Sequence, residues 1–293
     1  MKTILGINHQ FLYPDAITSQ KAHTESLKEL SVFDNIDALD CWLWRGESAK
    51  EERQILLDSG KIINYNIGDR FMENVAKPAS SIKAEQDFAY STIMREIEYA
   101  LSLNSKKIVF ASGPDFPADR DGAKERFFEF VMRLLSEIPK DVTLALEPTD
   151  RDIDKYFLFG PLDETVDFIQ KVRNAGGNNF GLLLDMCHIP IMYESLESAI
   201  KKADDTLVHI HLGNCVIKNK DDALYGDKHP AWGYPGGEYG EDEAKQFIQY
   251  LKNNGYTSKE GNTITFEMRR AGKLSAKESL DYFVRVFKES YLF

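Results

Sequence analysis

The 293 residues are 43% hydrophobic and 28% charged, the balance of a globular chain able to bury a large core. Lys and Arg number 36 against 47 Asp and Glu, a net charge of −11, and the basic runs are only pairs (Lys106-Lys107, Lys201-Lys202, Arg269-Arg270). Nucleic acid is therefore not an expected partner, since nothing here tracks a phosphate backbone.

Residues 2–8 (KTILGIN) read as a first strand; their apolar segment is too short for a secretory signal. A helical pattern follows over 17–31, then a strand at 36–43 (IDALDCWL), a helix at 48–59, a strand at 61–67 (KIINYNI) and a helix at 82–103. The second half continues with strand 106–111 (KKIVFA), helix 120–138, strand 142–147 (VTLALE), helix 162–175 and strand 179–185 (NFGLLLD). Helix 193–203, strand 206–212 (TLVHIHL), helix 240–254, strand 262–267 (NTITFE) and helix 274–290 complete the chain. Asn104 and Gly255 stand just past helical segments, where such residues end helices.

Eight strand–helix units without a linker or composition break predict one domain over 1–293, of the α/β class. With no GxGxxG after the first strand, a closed (β/α)8 TIM barrel is favoured over an open doubly wound sheet. No apolar run approaches the roughly 18 residues that cross a bilayer, so no membrane association is expected. Cys41, Cys187 and Cys215 are widely spaced and form no CxxC pair, which fits a reducing compartment and a cytoplasmic location.

Four of the predicted strands finish on Glu147, Asp185, His211 and Glu267. A barrel carries its chemistry at the C-terminal ends of its strands, so these residues are expected around one rim. Carboxylates crowded there repel unless a cation neutralises them. Three carboxylates and one imidazole favour Mn2+, Mg2+ or Co2+ over a thiol-rich zinc or iron site. His209 points to the same side as His211 one pleat deeper, and is expected to be hydrogen-bonded behind it. His188, three residues after Asp185, is placed to bond a substrate hydroxyl, and Arg269, two after Glu267, to pair with a ligand carboxylate or a substrate oxygen.

The segments ALEP around Glu147, LLDMCH with Asp185 and His188, HIHLGN with His211 and FEMR with Glu267 resemble the xylose isomerase-like barrel superfamily, and within it the sugar isomerases and ketose 3-epimerases. The resemblance implies one divalent metal on Glu147, Asp185, His211 and Glu267, with His188 touching a small carbohydrate. It also implies that the metal stabilises an enediolate while Glu147 and Glu267 take and return a proton from opposite faces of the substrate carbon. An aldose–ketose isomerase would use the same metal by another path. The same chemistry would also serve the catalytic barrel subunit of a lyase that cleaves oxidised C- or O-glycosides. An endonuclease IV-like multi-zinc site is disfavoured by only six histidines and the acidic balance, and a barrel that binds without turnover is the non-catalytic alternative. Barrels of this kind often pair, so a homo-oligomer is among the expectations.

Between His211 and the helix at 240 runs CVIKNKDDALYGDKHPAWGYPGGEYG, far longer than an ordinary βα loop. It is expected to cover the site, with His229, Trp232 and Tyr234 stacking on a sugar face or lining a pocket. Glu238, Glu241 and Asp242 crowd the place an anion would take near PGGEYG, so an unphosphorylated substrate is expected. Trp42 and Trp44 are further aromatic candidates, at least one of them core.

Overall fold

A computed structural model describes residues 3–67 and 76–291; Lys2, the first residue of the expected first strand, lies outside the described residues. Eight parallel strands close into a barrel in chain order: β1 (Ile4–Asn8), β2 (Ala38–Cys41), β3 (Ile62–Asn66), β4 (Lys107–Ala111), β5 (Thr143–Glu147), β6 (Phe180–Asp185), β7 (Leu207–Leu212) and β8 (Thr263–Phe266). The alternating helices are α1 (Gln20–Ser31), α2 (Glu47–Asp58), α3 (Lys83–Ser102), α4 (Arg120–Glu137), α5 (Leu162–Asn174), α6 (Leu196–Ala203), α7 (Glu241–Asn253) and α8 (Ala276–Glu289). The (β/α)8 TIM barrel expected from the sequence is the observed fold. Among the described residues no helix is long and apolar enough to cross a membrane.

The local reasons are visible in the sequence. Barrel strands are covered on both faces, so β4 to β6 read as near-continuous apolar runs. Helices instead bury one stripe: α8 buries Leu280, Phe283, Val284 and Phe287 and starts at a capping box in which Ser275 and Glu278 bond each other's backbone N–H. After α7 the chain turns at Gly255, whose φ of +81° suits glycine.

The chain divides into two compact units, one of Met1–Ile63, Asp185–Lys201 and His209–Phe293, the other of Asn64–Leu184 and Lys202–Val208. In the first, Phe266 packs with Phe283, Phe287 and Trp232. In the second, Phe127 meets Phe110, Phe159 and Phe168, while Val109, Ala145 and Leu183 form a buried cluster against Val208.

Register decides which residues reach the rim together. β1 pairs with β2 with Asn8 opposite Asp40, and with β8 with Ile7 opposite Phe266. β7 pairs with β8 with Leu212 opposite Phe266, which sets Glu267 immediately beyond the ladder.

Candidate metal centre

Asp185 is the last residue of β6, His211 the penultimate residue of β7, and Glu267 follows β8 with its N–H still donating to the Leu212 carbonyl at 2.9 Å. Glu147 is the last residue of β5. All four are buried, and Asp185, His211 and Glu267, which share one unit, offer ligand atoms lying within 4.8 Å of one another.

The two oxygens of Glu267 have different partners. Asn8 Nδ2 donates to Oε1 at 2.6 Å, and His211 Nδ1 donates to Oε2. The other nitrogen of His211, Nε2, donates to Asp40 Oδ2 at 2.8 Å. Burial opposes a charge on this ring, but Glu267 and Asp40 outweigh burial and hold its pKa well above the usual imidazole value. Burial likewise pushes Asp40 upward, and His209 and His211 overcome it to hold that carboxyl below the ordinary range. His209, one pleat deeper, donates from Nε2 to the same Asp40 oxygen at 2.6 Å and meets Thr263 Oγ1 through Nδ1 at 2.7 Å.

Asp185 tests whether these residues suit a cation. Its Oδ1 accepts the Cys187 N–H at 2.7 Å, while the buried Oδ2 has no hydrogen-bond partner. The nearest imidazole nitrogens, Nε2 of His188 and of His229, stand 3.7 Å away, beyond hydrogen-bonding reach. Burial pushes this carboxyl up to about 7, against the pull of His188 and His229. A buried carboxylate oxygen without a hydrogen-bond donor is destabilising unless a cation meets it. Two carboxylates and one imidazole, those of Asp185, Glu267 and His211, therefore fit a divalent ion that prefers oxygen.

The long β7–α7 connection is tied at its neck by Asn214. Its Nδ2 donates to the carbonyls of Ala231 (3.1 Å) and Tyr239 (3.0 Å), and its Oδ1 accepts the N–H groups of Cys215 and Tyr239, both at 2.9 Å. The tie carries His229 inward, to 1% exposure and a left-handed backbone with φ of +52°. There Nδ1 donates to the Glu267 carbonyl at 2.7 Å, Nε2 lies 2.6 Å from Asp227 Oδ1, and the ring packs 4.0 Å from that of Phe11. Burial lowers the pKa of this imidazole, but Asp227, Glu267 and Asp185 raise it to about 9. Asp227 Oδ1 also stands 3.2 Å from His188 Nε2. Asp185, Cys187, His188 and His229 thus form a second close group, and Asp40, His209 and His211 a third. Gly213 is required where these elements meet, because a Cβ there would lie 2.8 Å from both Asp185 Oδ1 and Cys187 Cβ.

Besides His229, whose two ring nitrogens meet the Glu267 carbonyl and Asp227, two further residues expected to face substrate are engaged elsewhere. Trp232 is 4% exposed; its Nε1 donates to the Gly213 carbonyl at 3.3 Å and its ring packs against Phe266 and Phe283. Arg269 clamps the loop, its N–H donating to the His229 carbonyl at 2.8 Å and its Nε to the Lys228 carbonyl at 2.7 Å. It also lines a cavity of about 440 Å³ with Tyr13, Glu25, Glu29 and Arg270. Tyr234 is half-buried and donates to Asp222. Of the other aromatic pair, Trp42 is core, its Nε1 donating to Gln10 Oε1 at 2.8 Å.

Asn8, Asp40 and Asp227 were not among the candidates read from the sequence. Each left a faint trace: Asn8 ends a strand, Asp40 is an acid inside one, and Asp227 lies two residues before a candidate histidine.

The family profile for the xylose isomerase-like TIM barrel matches residues 35–286. D-psicose 3-epimerase of Enterocloster bolteae is 30% identical over 100 residues, which span 32% of this chain and only 30% of that protein. A D-tagatose 3-epimerase-like protein is similar in structure with a TM-score of 0.73 at 16% identity, covering 99% of this chain and 98% of that one. The 3-keto-D-glucoside 4-epimerase of E. coli follows with 0.69 at 15% identity, covering 98% and 100%. At these identities the structural likeness is one of fold.

Proposed function

This chain belongs to the xylose isomerase-like TIM barrel family, and from that premise we propose that it is a divalent-metal-dependent carbohydrate epimerase or isomerase, specifically a ketose 3-epimerase acting as one domain on an unphosphorylated sugar. The observation that carries the reading is the buried Oδ2 of Asp185, which has no hydrogen-bond partner, grouped with Glu267 and His211; Glu147 is assigned as the fourth ligand. The local identity to a D-psicose 3-epimerase supports the choice of reaction. Mn2+, Mg2+ or Co2+ is the ion that this donor set favours.

Bound there, such an ion supplies Lewis acidity to a carbonyl and its neighbouring hydroxyl, loosening the C–H proton between them. In this reading Asp185 and His211 hold the ion, while Glu147 and Glu267 hold it and also move protons. One carboxylate takes the proton from its face of the carbon. The other, protonated at the start of the turnover, gives a proton to the opposite face, and the configuration inverts. Asn8 steadies Glu267 through Oε1. His188 is assigned to a substrate hydroxyl, with Asp227 standing beside its Nε2; His229, whose two ring nitrogens meet the Glu267 carbonyl and Asp227, is assigned with Trp232 and Arg269 to holding the loop rather than the sugar.

The test is incubation with Mn2+ and free ketoses in D2O. Deuterium at C3 together with the C3 epimer is expected, whereas aglycone release from a 3-keto-glycoside without epimerisation would favour the lyase, and no exchange in any sugar at saturating Mn2+ would sink the enzymatic reading.

Ion uptake is expected to release protons. His211 Nδ1 bears a proton towards Glu267, and Asp185 is held near 7; both bind metal only after deprotonation, so affinity rises with pH. The expected slope is about tenfold per pH unit for each proton released, steeper below the Asp185 pKa than above it. Mn2+ titration calorimetry in buffers of different ionisation enthalpy measures the count, and zero released protons below pH 7 would contradict the assignment.

A further inference from the structure

We infer that Asp40 is a positioning residue of the cation site: its buried carboxylate accepts the Nε2–H hydrogen bond of His211, keeps the proton on that nitrogen and thereby commits the Nδ1 atom of the ring to the ion. The inference rests on the metal reading proposed above and assigns a residue that lies outside the ligand group.

Asp40 is fully buried in β2. Oδ2 accepts from Nε2 of both His209 and His211, and Oδ1 accepts from Thr265 Oγ1 at 2.8 Å. The interior of the barrel is shaped for this arrangement. In β1, a Cβ at Gly6 would stand 2.8 Å from Thr265 Oγ1, so the bare backbone leaves the threonine its place beside Asp40. The second nitrogen of His209 meets the Thr263 hydroxyl, which orients that ring as well.

A neutral imidazole has one N–H and one lone pair. In the metal-free protein both nitrogens of His211 meet carboxylates, Nδ1 at Glu267 and Nε2 at Asp40; a cation that engages Glu267 displaces the proton on Nδ1, and the remaining proton stays on Nε2, where Asp40 still accepts it. With Nε2 committed to Asp40, the lone pair falls on Nδ1, the atom that faces Glu267. Without the carboxylate, the ring is free to adopt the other tautomer, in which a proton on Nδ1 points into the site and no ligand is offered. The negative charge of Asp40 also makes the imidazole a stronger donor.

Mn2+ affinity by equilibrium dialysis and the visible spectrum of bound Co2+ test this on Asp40→Asn and Thr265→Val, beside wild type and Asp185→Asn. In Asp40→Asn we expect one ion held about 10- to 100-fold more weakly, with shifted Co2+ bands, because a reoriented imidazole changes the ligand field. Thr265→Val, which removes only the donor to Oδ1, should shift both readings less and in the same direction. Wild-type affinity and an unchanged Co2+ spectrum in folded Asp40→Asn would overturn the inference while leaving the metal reading intact. If that variant does not fold, unchanged readings in Thr265→Val overturn it instead. Loss of a second bound ion with Asp40 would make that residue a ligand and also overturn the inference. Wild type that binds no ion, or Asp185→Asn that binds as wild type does, overturns the metal reading itself.

Discussion

Glu267→Gln is expected to lower kcat by about 10²- to 10⁴-fold, the range associated with losing a general acid or base, while an ion is still bound, though less tightly. The carboxylate faces two donors, Asn8 Nδ2 at Oε1 and His211 Nδ1 at Oε2. An amide provides only one acceptor, so if its oxygen stays with Asn8 its NH2 is turned on His211. The site keeps its volume and loses its base. Glu147→Gln should produce a loss of similar size for the proton on the opposite face. The two variants are then distinguishable by deuterium wash-in followed by NMR: each should still exchange the epimer whose proton faces the surviving carboxylate, and neither should interconvert the two. Wild-type kcat in either variant would remove that glutamate from the proton path.

Asn214→Ala is the second large effect. The change removes the acceptor of the Cys215 and Tyr239 N–H groups and one of two donors from the carbonyls of Ala231 and Tyr239, which keep the N–H groups of Tyr234 and Gly233. An unmet buried backbone N–H costs about 1–3 kcal/mol, and with partial relaxation of the loop the two give an expected net loss of about 2 kcal/mol, read by urea denaturation. The catalytic consequence is separate from stability. Asp227 and His229 are carried by the loop that Asn214 ties, so KM should rise by about tenfold or more, the equivalent of about 1.4 kcal/mol of substrate binding. Asn214→Asp keeps the acceptor and loses both donors, and should fall between wild type and Asn214→Ala. A wild-type KM in Asn214→Ala would detach the loop from substrate binding.

Much of the barrel was legible because its signals are local. Strand and helix periods differ within a window of a few residues, and a carboxylate or imidazole closing an apolar run can be seen without knowing what lies beside it. Asp185 and His211 stand where that reading set them, at or one residue before the ends of β6 and β7. The same logic was less informative past the strands. The inward–outward alternation that suggested a substrate role for Arg269 lapses once β8 ends at Phe266, and the side chain turns to the Lys228 carbonyl. Aromatic content in the long loop pointed to stacking, but an indole three residues beyond His229 is drawn into the apolar gap beside Phe266 and Phe283.

By itself, then, the sequence determined the eight-unit alternation and the residue types at the strand ends, since both follow from backbone period and side-chain chemistry. Only the tertiary structure decided which groups surround them. Asn8 donates to Glu267 across 259 residues because β1 closes the barrel against β8, and Asp40 meets His211 across 171 residues in the same interior. Contacts over such separations depend on closure and register, which no local pattern encodes.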